Sequence, residues 1–84
     1  MKRIEHIVTG EQGIHARNAV ILVSAAKKYS SDMLLWAGGR SANLKNMFEL
    51  IKMQAEQGTT IRCEISGADE EKAAKEIAAL IEKL

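Results

Sequence analysis

Thr59-Thr60-Ile61-Arg62-Cys63-Glu64-Ile65-Ser66, followed by Gly67-Ala68-Asp69-Glu70-Glu71, is the stretch that decides how this chain folds. Its first part alternates. In an extended chain Ile61, Cys63 and Ile65 point one way, while Thr60, Arg62, Glu64 and Ser66 point the other. A strand with one apolar and one polar face belongs in an antiparallel sheet covered on one side only. Gly67-Ala68-Asp69 reads as a turn with Asp69 as a helix N-cap. Glu70 and Glu71 then fall in a first helical turn, where the helix dipole favours negative charge. The spacing predicts that this last helix turns Ala74, Ile77, Ala78 and Ile81 inward, with Leu84 extending the stripe.

Working back towards the N-terminus, Asn43 reads as the cap of a short second helix whose face is Leu44, Met47, Phe48 and Ile51, and Gly58 ends that region. Met33–Trp36 and Arg40–Asn43 read as strands joined by the Ala37-Gly38-Gly39 turn. Upstream, apolar residues at Ala19, Val20, Val23 and Ala26 carry helical spacing within a helix from Ala16 to Lys28. Ser30-Ser31-Asp32 breaks it. Thr9–Ile14 is a loop holding Gly10 and Gly13, and Arg3–Val8 is a first, weakly alternating strand. The order is β-α-β-β-α-β-α. One-sided strands and amphipathic helices imply an α+β fold, an open two-layer α/β sandwich with one antiparallel sheet and its helices on one face.

Composition narrows the function. A chain of 84 residues, 46% hydrophobic and 27% charged, is expected to be one globular domain. A net charge of +1 makes no electrostatic case for nucleic acid or an anionic membrane. Aromatic stacking on the sheet is also missing, since only Trp36 of the few aromatic residues falls on a strand. No signal peptide and no membrane-length apolar run is legible, so a cytoplasmic protein is expected. A single cysteine forms no internal disulfide and fits a reducing compartment. It alternates with Ile61 and Ile65, so Cys63 reads as a small buried hydrophobe. No His/Cys cluster has metal-ligand spacing, and no cofactor is expected. His6 has no evident partner and reads as structural or surface, and Trp36 is expected to cover an edge of the sheet or core.

Gly13-Ile14-His15-Ala16-Arg17 carries the chemistry. It sets an imidazole at a helix N-terminus and a guanidinium two residues later. The first turn of a helix has unpaired N–H groups and partial positive charge, which suit phosphate. The same field disfavours imidazolium and keeps the ring nucleophilic. Arg17 can hold phosphate oxygens. A nucleophile, an anion cradle and a cation together suggest a transient phosphohistidine. Alone, a loop histidine is more often a solvated or capping residue; the helix that follows is what favours the chemical reading.

These segments together resemble the histidine-containing phosphocarrier (HPr) family of the bacterial sugar phosphotransferase system. The resemblance runs without gaps over essentially the whole chain, residues 1–84, as one HPr-like domain. Gly13-Ile14-His15-Ala16-Arg17 resembles the family's phosphorylation motif, Ser41-Ala42-Asn43-Leu44-Lys45 the approach to its second helix, and Gly67-Ala68-Asp69-Glu70-Glu71 the entry to its last. The resemblance implies a sheet of order 1-4-2-3. It implies that His15 takes a phosphoryl group on Nδ1 from enzyme I and passes it to the A domains of enzymes II, as a carrier and not a turnover enzyme. It implicates the N–H groups of Ala16 and Arg17 and the Arg17 side chain in holding phosphate, and Val20, Met47, Phe48 and Ile51 in docking partners. Transcriptional or metabolic regulators are a further class of partner it allows. For Phe48, core packing and docking both remain open on the residues alone.

Two positions depart from the family pattern. Asn18 stands where proline is usual; asparagine loosens the preset first turn but restores an N–H donor near the phosphate. On unfolded-state entropy, Asn18→Pro is expected to stabilise the chain modestly. Asn46 stands where many Gram-positive members carry a regulatory serine, so a kinase switch there is expected to be absent. Both departures leave room for a second reading, an HPr-like regulatory interaction module that has lost the general sugar relay.

Overall fold

A computed structural model describes residues 1–84. The elements are β1 (Lys2–Ile7), α1 (Ala16–Ala26), β2 (Asp32–Ala37), β3 (Arg40–Asn43), α2 (Met47–Lys52), β4 (Thr60–Ser66) and α3 (Glu70–Ile81). The four strands form one sheet of order β1-β4-β2-β3, antiparallel throughout. This is the β-α-β-β-α-β-α sandwich expected, including the strand order that the resemblance implied.

The alternation of β4 organises the molecule. Cys63 sits between Ile4 of β1 and Leu35 of β2, and Leu35 faces Ala42 of β3, so one apolar row crosses all four strands. Ile65 and Ile61 lie in parallel rows beside Met33 and Ala37. These inward residues join Leu22, Leu50, Ile77 and Ile81 from the helices in a single core cluster. Burial of β4 pushes the Cys63 thiol up to about 12, with the neighbouring charge of Glu64 adding to the rise, so it stays protonated and inert. The opposite face of the sheet is bare of helices. There Trp36 lies over Arg62, 5.8 Å from guanidinium to ring centroid, and donates its indole N–H to Glu64 at 2.9 Å. Because β2 is an interior strand, Trp36 covers the middle of the open face rather than an edge.

Several boundaries and faces differ from the sequence expectation. In the first strand, pairing stops at Ile7; Val8 is buried but turns away to exchange backbone hydrogen bonds with Gly58 and Thr59. Helix α1 ends at Ala26, and Lys28 and Tyr29 lie beyond it, both bonded to Glu76 of α3. Its buried face is Ala19, Leu22, Val23, Ala25 and Ala26, while Val20 is 50% exposed. The periodicity alone could not choose among adjacent stripes; the helix also packs against α2 and α3, which rotates its buried face towards Leu22 and Ala25. The strand at the C-terminal half starts one residue late, at Thr60. In α3 the buried residues are Ala73, Ile77 and Ile81, with Ala74 and Ala78 half-buried.

Two caps also move. Asn46, not Asn43, caps α2, accepting from the Glu49 N–H at 3.1 Å; Asn43 instead accepts from the Lys45 N–H within the preceding turn. Asp69 precedes α3 but gives it no side-chain cap. Its carboxylate reaches across to Ser30 and Ser31, whose N–H groups are left over where the α1–β2 connection turns. On α2, the anchor is Leu50, fully buried and absent from the expected face. Met47 packs against the core from a half-buried position, whereas Phe48 is 86% exposed.

Candidate functional site

The loop between β1 and α1 presents His15, and three backbone anchorages hold that loop. Thr9 and Gly10 donate to the Leu84 carbonyl at 2.9 and 2.8 Å. Ile14 donates to the Ala55 carbonyl at 2.8 Å, and its side chain is buried in the core. Between them Gly13 adopts φ 65° and lies so close to the Ala55–Glu56 backbone that a Cβ there would collide with the Ala55 carbonyl. Only glycine meets both conditions. The loop therefore sits on the segment that follows α2, and Ala55, Glu56 and Leu84 are parts of the site's frame. Leu84 was legible as the end of an apolar stripe; Ala55 left no sequence signal, since its role is a carbonyl.

His15 is the N-cap of α1, with extended backbone (φ −122°, ψ 179°). Its carbonyl accepts the first helical bond, from Ala19, at 2.9 Å. Its ring Nδ1 accepts from the Arg17 N–H at 3.3 Å. A backbone N–H can only donate, so Nδ1 carries a lone pair and the neutral ring keeps its proton on Nε2. The nitrogen facing the helix N-terminus is thus the nucleophilic one. Ala16 opens the helix, and its N–H has no intrahelical acceptor. Arg17 is exposed, with no carboxylate in ion-pair range, and the first turn of α1 contains no acidic residue. No ion pair holds this cation, and of the first-turn N–H groups that of Arg17 is occupied only by the His15 ring.

The donor that the sequence offers at Asn18 is its backbone N–H, in the first turn of α1. The side chain turns back into the loop. Oδ1 accepts from the His15 N–H at 2.9 Å, and Nδ2 donates to the Gly13 carbonyl at 3.2 Å. With the His15 ring on the other side, the two residues cap the helix reciprocally. Proline at this position would supply neither bond. At ~0.5–1.5 kcal/mol each, these bonds offset or exceed the entropic gain expected of Asn18→Pro, so no net stabilisation is expected of that substitution.

Around the loop, Val20, Phe48 and Ile51 are 50%, 86% and 39% exposed, on two helices that contact one another. Ile21, 49% exposed, joins the solvent-facing apolar residues of α1 and was not singled out in the sequence. Of the expected docking residues only Met47 contributes to the core as well. His6 lies in β1 opposite Ile61, and its Nε2 has no partner. No group of three His, Cys, Asp or Glu side chains converges as a metal site.

The chain is similar over most of its length to known proteins. The family described as "PTS HPr component phosphorylation site" matches residues 2–83. A phosphocarrier protein HPr of Haemophilus influenzae is 35% identical over 92% of this chain and 91% of its own. One of Xylella fastidiosa is 38% identical over 94% of this chain and 91% of its own. A solved mycoplasma histidine-containing phosphocarrier protein superposes with a TM-score of 0.92 at 30% identity, covering 94% of this chain and 90% of that one.

Proposed function

Since the chain belongs to the HPr family of phosphocarriers, we propose that His15 is its phosphoryl acceptor, through Nδ1, in a cytoplasmic relay from enzyme I to the A domains of enzymes II. The observation that carries this reading is the Nδ1 lone pair set at the open N-terminus of α1, 3.3 Å from the Arg17 N–H. In the transfer step, that lone pair forms a bond to phosphorus. The bond from phosphorus to the donor breaks, and its electron pair leaves with the donor. The Arg17 N–H, released from Nδ1, and the Ala16 N–H then face phosphate oxygens, and the Arg17 guanidinium supplies countercharge. Passing the group on reverses the same step with enzyme II as acceptor. The protein is consumed and regenerated, and so acts as a carrier rather than a turnover enzyme. Val20, Phe48 and Ile51 form the exposed apolar ground on which both partners dock, with Met47 beneath them.

The alternative of an interaction module that has lost the relay finds no support in the site, because the ring, the helix N-terminus and the unpaired Arg17 are all in place. Incubation with enzyme I and phosphoenolpyruvate, followed by intact mass, tests the proposal. One acid-labile phosphate is expected, retained in His6→Ala and absent in His15→Ala. Undiminished labelling of His15→Ala removes His15 from the role.

A further inference from the structure

The Asn18 side chain makes both of its hydrogen bonds to the backbone of the loop that carries His15, and none to solvent-facing groups. Its orientation is set by chemistry. The His15 N–H can only donate and the Gly13 carbonyl can only accept, so Oδ1 must face the first and Nδ2 the second. One planar amide therefore spans the loop from Gly13 to His15. Each end of that span is fixed by something else. Gly13 is pressed against the Ala55 and Glu56 backbone, and Ile14 is tied to Ala55. His15 is tied to Ala19 through its own carbonyl. The His15 peptide lies between these anchors, its N–H is held by the Asn18 amide, and its orientation sets the direction in which the His15 Cα–Cβ bond leaves the backbone.

We propose that Asn18 is a positioning residue for phosphoryl transfer: its amide clamps the Gly13–His15 backbone so that Nδ1 is held against the Arg17 N–H and aimed outward along the helix start. This rests on the reading of His15 as the acceptor. The clamp acts on the ring through the backbone and touches no phosphate. It uses both halves of an amide, an acceptor for His15 and a donor for Gly13, with the acceptor holding the His15 N–H, which explains the inward turn of a polar side chain in the first turn of a helix whose N-terminus faces solvent. Displacement of a reacting group by even ~1 Å lowers rates by up to about a hundredfold, so a loosened ring is expected to show in the transfer rate.

The test uses Asn18→Ala, which removes both bonds, and Asn18→Asp, which keeps the acceptor for the His15 N–H. Two measurements are made on each folded, full-length variant: enzyme I kinetics with the chain as varied substrate, and the 15N resonance of His15 Nδ1 together with exchange protection of the His15 amide. Asn18→Ala is expected to lower kcat by ~10-fold or more with KM unchanged, to displace the Nδ1 resonance and to lose the amide protection. Asn18→Asp is expected to return the amide protection and the Nδ1 resonance towards those of the unaltered chain. A loss of folded molecules would raise the apparent KM instead and leave the resonance of the folded fraction in place. An Nδ1 resonance and a kcat in Asn18→Ala equal to those of the unaltered chain overturn the proposal, as does a displaced resonance with kcat unchanged. Should Asn18→Ala not fold, Asn18→Asp decides, for an unprotected His15 amide in that variant overturns the clamp. If the unaltered chain takes no phosphate on His15, the proposed function fails, while the Nδ1 resonance and amide protection still report whether Asn18 sets the ring.

Discussion

Asp69 binds Ser31, thirty-eight residues before it: Oδ1 accepts from the Ser31 N–H at 3.0 Å and also from the Ser31 hydroxyl. Oδ2 accepts from the Ser30 N–H at 2.9 Å. One carboxylate thus ties the start of α3 to the turn between α1 and β2, and Ser31 is the one fully buried polar side chain in the molecule. The hydroxyl bond, followed by the Ser30 N–H, holds the Asp69 carboxyl down at about 2, below its ordinary 3.8.

A depressed carboxyl makes stability depend on acid in one direction. The folded state binds the proton more weakly than the unfolded state does, so the contribution is fully present above the ordinary value. It is lost as pH falls from about 4 through about 2. Asp69→Asn is therefore expected to be less stable than the unaltered chain at neutral pH and to show a shallower loss of stability across that window. Equal slopes in acid titrations of unfolding for the two proteins would place the acid sensitivity elsewhere.

Arg17 has no ionic partner on the protein, and an exposed guanidinium contributes on the order of 0–1 kcal/mol to stability. Arg17→Ala should leave the thermal midpoint nearly unchanged and slow acceptance of phosphate from enzyme I. Normal transfer rates with a large fall in midpoint would reverse the assignment of Arg17 from phosphate to fold.

Phe48 and Leu50 lie two residues apart on α2 and separate docking from packing. Leu50 is fully buried, so Leu50→Ala should cost ~2–5 kcal/mol of stability. Phe48 is 86% exposed, and Phe48→Ala should change stability by no more than ~0.5 kcal/mol. The expected effect of Phe48→Ala is weaker partner binding, read by titration of an enzyme II A domain. Unaltered affinity in that titration would remove Phe48 from the docking surface.

Asn46 caps α2 through its side-chain oxygen and has no hydroxyl to accept a phosphate ester. Serine is as good a cap, so Asn46→Ser should match the unaltered chain within ~0.5 kcal/mol. It should also become a substrate for the ATP-dependent kinase that modifies serine-bearing relatives, whereas the unaltered chain should not. Phosphate found at residue 46 of the unaltered chain by peptide mass would contradict this.

What the sequence determined by itself was local. The alternation of Ile61, Cys63 and Ile65 depends only on the two-residue period of extended backbone, and it named the buried face of β4 without reference to any neighbour. The order of elements followed from the same kind of periodicity, and His15 could be placed at a helix start because the apolar run begins just after it. Tertiary structure decided what the polar side chains bind and which stripe of each helix is buried. Asp69 and Asn43 each had a nearby helix N-terminus to serve. Asp69 went to Ser30 and Ser31, Asn43 to a turn, and Asn18 to the backbone of Gly13 and His15. The physical reason is that a short polar side chain bonds whichever N–H or carbonyl the assembled fold leaves unpaired, and those groups exist at fixed places only once the chain has closed around its core. Val20 faces solvent for a related reason: the turn of a helix about its own axis is set by all the surfaces that pack on it, and α1 meets α2 and α3 as well as contributing to the core.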